Sequence, residues 1–178
     1  GAAGMIAAGA SAATASTSKH QTPTGETGLQ SLYDRLAIAE LIQRERAARD
    51  RGLWMEMADC YHPDSSIDTS WFKGNGAQFV AATQKALGNS DRISLHQLAP
   101  TVVILGPDGR ALAETDCQLL AFGELEGVEI AITNYTRLLW RILRREQQWL
   151  IAGLRVIYIR DTLTPRDPNR VPKIDDTE

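Results

Sequence analysis

Few residues in this 178-residue chain carry chemistry that could turn a substrate over. His96 stands in Leu95-His96-Gln97, inside a run of strand-forming residues. Its imidazole could exchange a proton near neutral pH, the usual work of a general acid or base. A strand histidine bonded to backbone is the structural alternative. Asp50 closes a long helical pattern. As a solvated carboxylate it would do little. Pointing inward, it could orient an imidazole, or abstract a proton itself with its pKa raised by burial. His62 precedes Pro63 in what reads as an exposed loop, and His20 lies in a small-residue leader. The three histidines share no short spacing, so no metal ligand set is expected. No glycine-rich phosphate loop is present either, so no cofactor is expected. Cys60 and Cys117 are expected as free thiols packed in the core, although an oxidising compartment would permit a bridge.

Elements must position these groups, and composition bounds them first. With 43% hydrophobic and 23% charged residues the chain is of ordinary globular type. Nineteen Lys and Arg against 22 Asp and Glu give a net charge of −3, which supplies no general grip on nucleic acid or an anionic membrane. No apolar run approaches the roughly 20 residues of a spanning helix. Residues 1–28 form a leader. Its steps Ala10-Ser11-Ala12 and Ala13-Thr14-Ala15 have the form signal peptidase accepts, so it reads as the rear of a secretory signal with a flexible linker. A periplasmic or secreted location follows from that reading, and a cytoplasmic one from a plain Ala/Ser/Gly leader. Residues 164–178 are polar, carry three prolines and are expected as a flexible tail. Residues 29–163 are the folded domain.

Between Gly28 and Gly52 there is no Gly or Pro, and Leu29, Leu32, Tyr33, Leu36, Ile38, Leu41 and Ile42 recur at helical spacing. A second short helix is predicted from Leu53 to Tyr61, stopped by His62-Pro63. Ser65–Ser70 is a short extended stretch. Asn75 caps a third helix with Phe79, Val80, Thr83 and Leu87 inward. Four long strand-type runs follow, Ile93–Leu105, Arg110–Leu125, Val128–Arg144 and Trp149–Arg160, joined by short polar turns as in an antiparallel meander. In the third, Val128, Ile130, Ile132, Leu138, Trp140 and Ile142 share a face that Asn134 and Thr136 interrupt. Those two satisfy each other or water, or meet a ligand. Arg137 lies on the opposite pleat, as a surface or interface ion pair. Tyr61 and Tyr158 could donate phenolic hydrogen bonds. The expected class is α+β: three helices packed on a strongly curved, mostly antiparallel sheet, leaving a conical cavity for a small hydrophobic ligand. The outer sheet face calls for a homodimer or homotrimer.

This order of elements, with Arg49-Asp50-Arg51-Gly52-Leu53-Trp54, Ser66-Ile67-Asp68-Thr69, Leu95-His96-Gln97 and Thr133-Asn134-Tyr135, resembles the nuclear transport factor 2-like superfamily over Leu32–Arg160. Within it the chain is most similar to the SnoaL-like and scytalone dehydratase-like branch. The resemblance implies a cystatin-like, cone-shaped α+β barrel. It also implies a pocket aspartate at Asp50, four positions before Trp54, a catalytic histidine at His96 and a pocket asparagine at Asn134. Trp71 and Phe72 would then lie over the cavity mouth as aromatic walls. Thr69 replaces a pocket tyrosine, Arg49 stands where another would be, and no second histidine occurs in Leu119–Gly123. The implied activity is that of a cofactor-independent lyase, dehydratase or isomerase/cyclase on an aromatic or polyketide-like substrate. In it His96 is the acid/base, Asp50 its orienter or a second base, and Asn134 a donor to oxyanion charge. A non-catalytic ligand-binding module, or an accessory β-type subunit of a ring-hydroxylating dioxygenase, is implied by other members of the same fold.

Overall fold

The computed structural model describes residues 26–88 and 94–170. All but the last three residues of the proposed leader, and all but the first seven of the proposed tail, therefore lie outside the described residues. The helix-forming stretch makes α1, Glu26–Arg51. Ile38, Leu41 and Ile42 are buried as expected, but Leu29, Leu32, Tyr33 and Leu36 are 57–66% exposed. Helical spacing explains the difference. One turn before Ile38 the inward positions are Asp34 and Arg35, and one turn after Leu36 comes exposed Glu40. The apolar pattern thus switches faces between Leu36 and Ile38. The early turns of α1 meet the sheet through polar ties instead: Trp149 Nε1–H donates to Asp34 at 3.0 Å, and the Arg35 guanidinium donates to the Val103 carbonyl.

The end of α1 is closed by a paired backbone motif. Gly52 N–H donates to the Arg49 carbonyl at 3.3 Å and Leu53 N–H to the Ala48 carbonyl at 2.9 Å. This arrangement requires the left-handed residue that Gly52 supplies at φ +70°. It fixes the direction in which Arg49 and Asp50 leave the helix. Helix α2, Trp54–Asp59, is shorter than expected, because Tyr61, His62 and Pro63 already belong to strand β1, Tyr61–Asp68. His62 is correspondingly not an exposed loop residue: its side chain is 16% exposed. A two-residue strand β2, Lys73–Gly74, precedes α3, Gly76–Leu87, whose Asn75 cap forms the full reciprocal box with Gln78.

The first long run divides at Ala99-Pro100 into β3, Ser94–Leu98, and β4, Val102–Leu105. Proline removes a ladder donor there. Strands β5, Arg110–Leu125, β6, Val128–Arg145, and β7, Gln148–Pro165, follow. Two-residue turns with positive φ at Glu126-Gly127, and at Glu146, join them. The order across the sheet is β2-β1-β7-β6-β5-β3, with β4 also on β5. The β3 to β7 pairings are antiparallel, while β1 runs parallel to β7, so the sheet is mixed. It curls round the helices without closing into a full barrel. Register shifts between β6 and β7, at Tyr135/Thr136 and Arg141/Ile142, leave Ile159 and Ala152 as extra residues on β7 and assist the bending. Strand β7 continues to Pro165, beyond the expected end of regular structure.

The core lies between the inner sheet face and the helices, around Trp140, Phe79, Ile42, Met57, Ile67 and Ile151. Cys60 and Cys117 are both buried and free. No helix among the described residues is long and apolar enough to cross a membrane. Replacing Gly52 by Ala forces a side chain into the left-handed region, and the expected loss in urea unfolding is about 1–2 kcal/mol. Unchanged stability would show that the helix end is not held in this way.

Candidate active site

Asp50, in the last turn of α1, and His96, midway along β3, meet across 46 residues of sequence. His96 Nδ1 and Asp50 Oδ1 are 2.6 Å apart, and the His96 backbone N–H donates to Asp50 Oδ2 at 2.7 Å. The two side chains are only 4% and 9% exposed. On the other side of the ring, Arg49 Nη1 lies 2.7 Å from Nε2. A guanidinium can only donate, so Nε2 accepts and the ring proton resides on Nδ1, facing the carboxylate. Burial, with the guanidiniums of Arg46 and Arg49 adding to it, pulls the imidazole down to about 4 against the hydrogen bond to Asp50. His96 is thus neutral at pH 7. Burial pushes Asp50 upward, but its hydrogen bonds from His96 outweigh this and hold it below the usual carboxylate range.

Three further charged groups continue the inward face of α1. Glu45 and Arg46 are 0% and 4% exposed and form a two-point ion pair, with Arg46 Nη2 donating to Glu45 Oε1 at 2.7 Å. The buried Tyr61 hydroxyl donates to the same oxygen at 2.7 Å. Burial works against the Arg46 charge, but Glu45 and Tyr61 more than restore it. Arg46 also stacks over Phe79 and Trp140, its guanidinium carbon 6.0 and 5.5 Å from the ring centres. Arg49 lies over the same Phe79 ring at 5.9 Å. Burial and the neighbouring Arg46 lower its pKa to about 10, so it stays charged at neutral pH. Its Nε is sealed from solvent without a hydrogen-bond partner.

A cavity of about 440 Å³ opens beside these groups. This size suits a small molecule. Arg46, Arg49, His96 and Phe79 line its inner end, Cys117, Leu119, Ile132, Leu138 and Val156 its walls, and exposed Trp71, Tyr158 and Asp161 its mouth. Sheet register puts His96, Leu119, Asn134 and Asp161 in one lateral row over β3, β5, β6 and β7. His96 and Asn134 therefore share the cavity but are two strands, about 10 Å, apart. Asn134 Nδ2–H donates to Asp161. One of its two amide hydrogens is thereby engaged, and the other lies two strands away from His96. Thr136 lines the same wall and donates to the Cys117 carbonyl at 3.4 Å.

Thr69, Trp71 and Tyr158 line the cavity as expected. Three candidates do not. Asp50 meets the cavity only through His96. Tyr61 faces Glu45 in the core, where it anchors the ion pair, and Phe72 turns into an aromatic cluster, 5.3 Å from Phe79 between ring centres. Thr69 fixes that turn, its hydroxyl accepting from the Phe72 N–H at 3.1 Å. Arg137 is exposed and bonded to Asp116 at 2.7 Å. Sequence reasoning did not single out Glu45 and Arg46, and noted Arg49 only as a departure from a tyrosine. The signal was present, because they continue the Ile38-Leu41-Ile42 stripe at helical spacing. A larger hollow of about 780 Å³ lies beside α1, α2 and β7, but neither histidine nor cysteine lines it. Among the described residues no group of three or more His, Cys, Asp or Glu is placed to hold a metal ion.

Comparison with known proteins follows this geometry. A PEP2-like protein of Fusarium vanettenii is 22% identical over 146 residues, covering 82% of this chain and 63% of that protein. The chain thus spans less than two thirds of the length of that relative. A protein assigned as a scytalone dehydratase of Novosphingobium aromaticivorans superposes with a TM-score of 0.65 at 14% identity, over 74% of this chain and 88% of that one. A type-2 hexachlorocyclohexane dehydrochlorinase (LinA) superposes with a TM-score of 0.68 at 15% identity, over 84% of this chain and 99% of that one. These likenesses establish the α+β cone of nuclear transport factor 2-like proteins. The family model described as a SnoaL-like domain matches residues 30–155, most of the chain, and the protein belongs to that family.

Proposed function

We propose that this protein is a cofactor-independent lyase of the dehydratase kind, or an isomerase, acting on a small hydrophobic, aromatic or polyketide-like substrate. The observation that carries the reading is the 2.6 Å His96–Asp50 pair, whose imidazole lines a 440 Å³ cavity. Because His96 is neutral and protonated at Nδ1, Nε2 is the basic atom. It takes a proton from carbon next to a carbonyl, and the C–H electron pair moves onto the carbonyl oxygen. Collapse of that enolate expels a β-hydroxyl, which leaves as water with the proton returned by the imidazolium. Return of the proton to another carbon gives isomerisation instead. Asp50 holds the ring in register and stabilises its positive charge. The cationic groups nearest Nε2, Arg49 and Arg46, take the oxyanion role once expected of Asn134. Asn134, Thr69, Trp71 and Tyr158 bound the far part of the substrate.

A second reading, a ligand-binding module without turnover, is favoured by one observation: Arg49 occupies the Nε2 lone pair. Exposed Val102, Ile104, Leu112, Ile157 and Ile159 on the outer sheet face support assembly into a homodimer or homotrimer.

Turnover over a panel of β-hydroxy ketones and aryl alcohols separates the two readings. In the enzymatic one, His96→Gln lowers kcat by roughly 10²–10⁴-fold, and Asp50→Asn lowers it too, with binding retained in both. Undiminished turnover in both variants would remove the site assignment. Because the base must be unprotonated and Arg49 charged, the rate should fall as pH drops through about 4, stay level above it, and fall again as pH rises through about 10.

Stability gives a substrate-free check. His96 falls from an ordinary 6.5 to about 4 on folding, so below pH 6.5 the unfolded chain takes up the proton first. The unfolding free energy should be full above pH 6.5 and decline as pH falls through 4, with the Asp50 contribution lost at still lower pH. His96→Gln should flatten the upper part of that decline. An equal decline in the variant would contradict the assignment.

A further inference from the structure

The hydrogen bonds around the cavity do not pair off evenly. Arg46 is matched by Glu45, which holds it at two points. Asp50 commits both oxygens to His96. At the rim, Asp68 faces Lys73 and Arg155 at 3.6 and 3.8 Å, and Asp161 holds Asn134. Arg49 is left with a neutral imidazole as its hydrogen-bond partner, while its Nε has none. Its carboxylate neighbours, Glu45 and Asp50, are hydrogen-bonded to other groups, so the buried guanidinium keeps an unmet N–H, and a carboxylate meeting two parallel N–H groups is the partner that relieves it best. The same contact covers the one atom of His96 that could act as a base.

We propose that Arg49 is the anion subsite of this cavity, that its ligand carries one carboxylate on an apolar body, and that the carboxylate draws the guanidinium off His96 Nε2 and so uncovers the base. The nearby carboxylates of Asp50 and Glu45 disfavour a phosphate and leave a singly charged group as the ligand that fits. The Leu119, Ile132, Leu138 and Val156 walls receive the apolar body, and the span from His96 to Asn134 sets its length. Turning to present Nε beside an Nη would satisfy the stranded Nε in the same movement. The subsite stands on the unpaired Nε and the cavity geometry alone. The uncovering step rests on the proton-transfer reading above.

Benzoate and benzamide, alike in shape and different in charge, serve as probes for calorimetric titration of the full chain at pH 7. Benzoate should bind at least about tenfold more tightly, equivalent to ~1.4 kcal/mol. Arg49→Gln should bring the two probes to equal affinity, whereas His96→Gln should keep the preference for benzoate. Arg49→Lys, which retains the charge but not the fork, should show a smaller preference. In protein with ¹⁵N-labelled histidine, saturating benzoate should move the His96 Nε2 resonance, and benzamide should not. Equal affinities in the wild type, no detectable benzoate binding, or a preference that survives in Arg49→Gln would overturn the subsite. Should Arg49→Gln fail to fold, the wild-type affinities and the Lys variant decide. Preferred benzoate binding with a motionless Nε2 signal would overturn the uncovering step. Turnover that survives His96→Gln would sink the proton-transfer reading and leave the anion preference standing.

Discussion

The carboxylate of Asp50 accepts two hydrogen bonds from one residue, His96, and the two have different consequences. The bond from the backbone N–H ties the end of α1 to β3 and uses a donor that β3 does not need for its ladder to β5. The bond from the ring fixes the tautomer, leaving a lone pair on the nitrogen that faces Arg49. Position and protonation are therefore set by one side chain. Everything proposed about chemistry depends on this contact, which in turn depends on where α1 stops. Gly52 provides that stop.

The inner face of α1 begins as an apolar stripe and ends as a charged one. Ile38, Leu41 and Ile42 pack in the core, and one turn later Glu45 and Arg46 are just as buried. Such a pair is tolerated because its members are hydrogen-bonded to each other and because Tyr61, Phe79 and Trp140 enclose it. Removing one member would leave an uncompensated buried charge, a loss on the order of 3–5 kcal/mol. Burial above all, with the guanidiniums of Arg46 and Arg49 adding to it, keeps the imidazole neutral. A base that is neutral at pH 7 and backed by a carboxylate suits proton abstraction better than proton donation from the resting state.

The fold was largely legible because its signals are local. A helix without Gly or Pro, the Asn75 cap and three long strand runs with short turns lead directly to the observed elements. The departures also have local causes. Pro100 splits the first strand run, and Tyr61-His62-Pro63 joins an edge strand instead of closing a helix. Half of the α1 apolar pattern faces solvent because Asp34 and Arg35 hold the inward positions. At the site, Asp50 and His96 were legible through the family resemblance, since nothing local says that residues 46 apart will touch. Tyr61 misled because a phenol is equally at home in a cavity or on a buried carboxylate. The distance from His96 to Asn134 depends on strand register, which composition and periodicity do not encode. Arg49 was the hardest to read, because arginine at the end of a helix is ordinarily a solvated charge at a favourable dipole.

The state of the His96 ring is the most direct test of this account. In the ligand-free protein at pH 7, ¹⁵N spectroscopy of labelled histidine should find a neutral imidazole with its proton on Nδ1 and that proton shifted far downfield by Asp50. An imidazolium, or a ring protonated at Nε2 instead, would contradict the arrangement from which the chemistry is drawn.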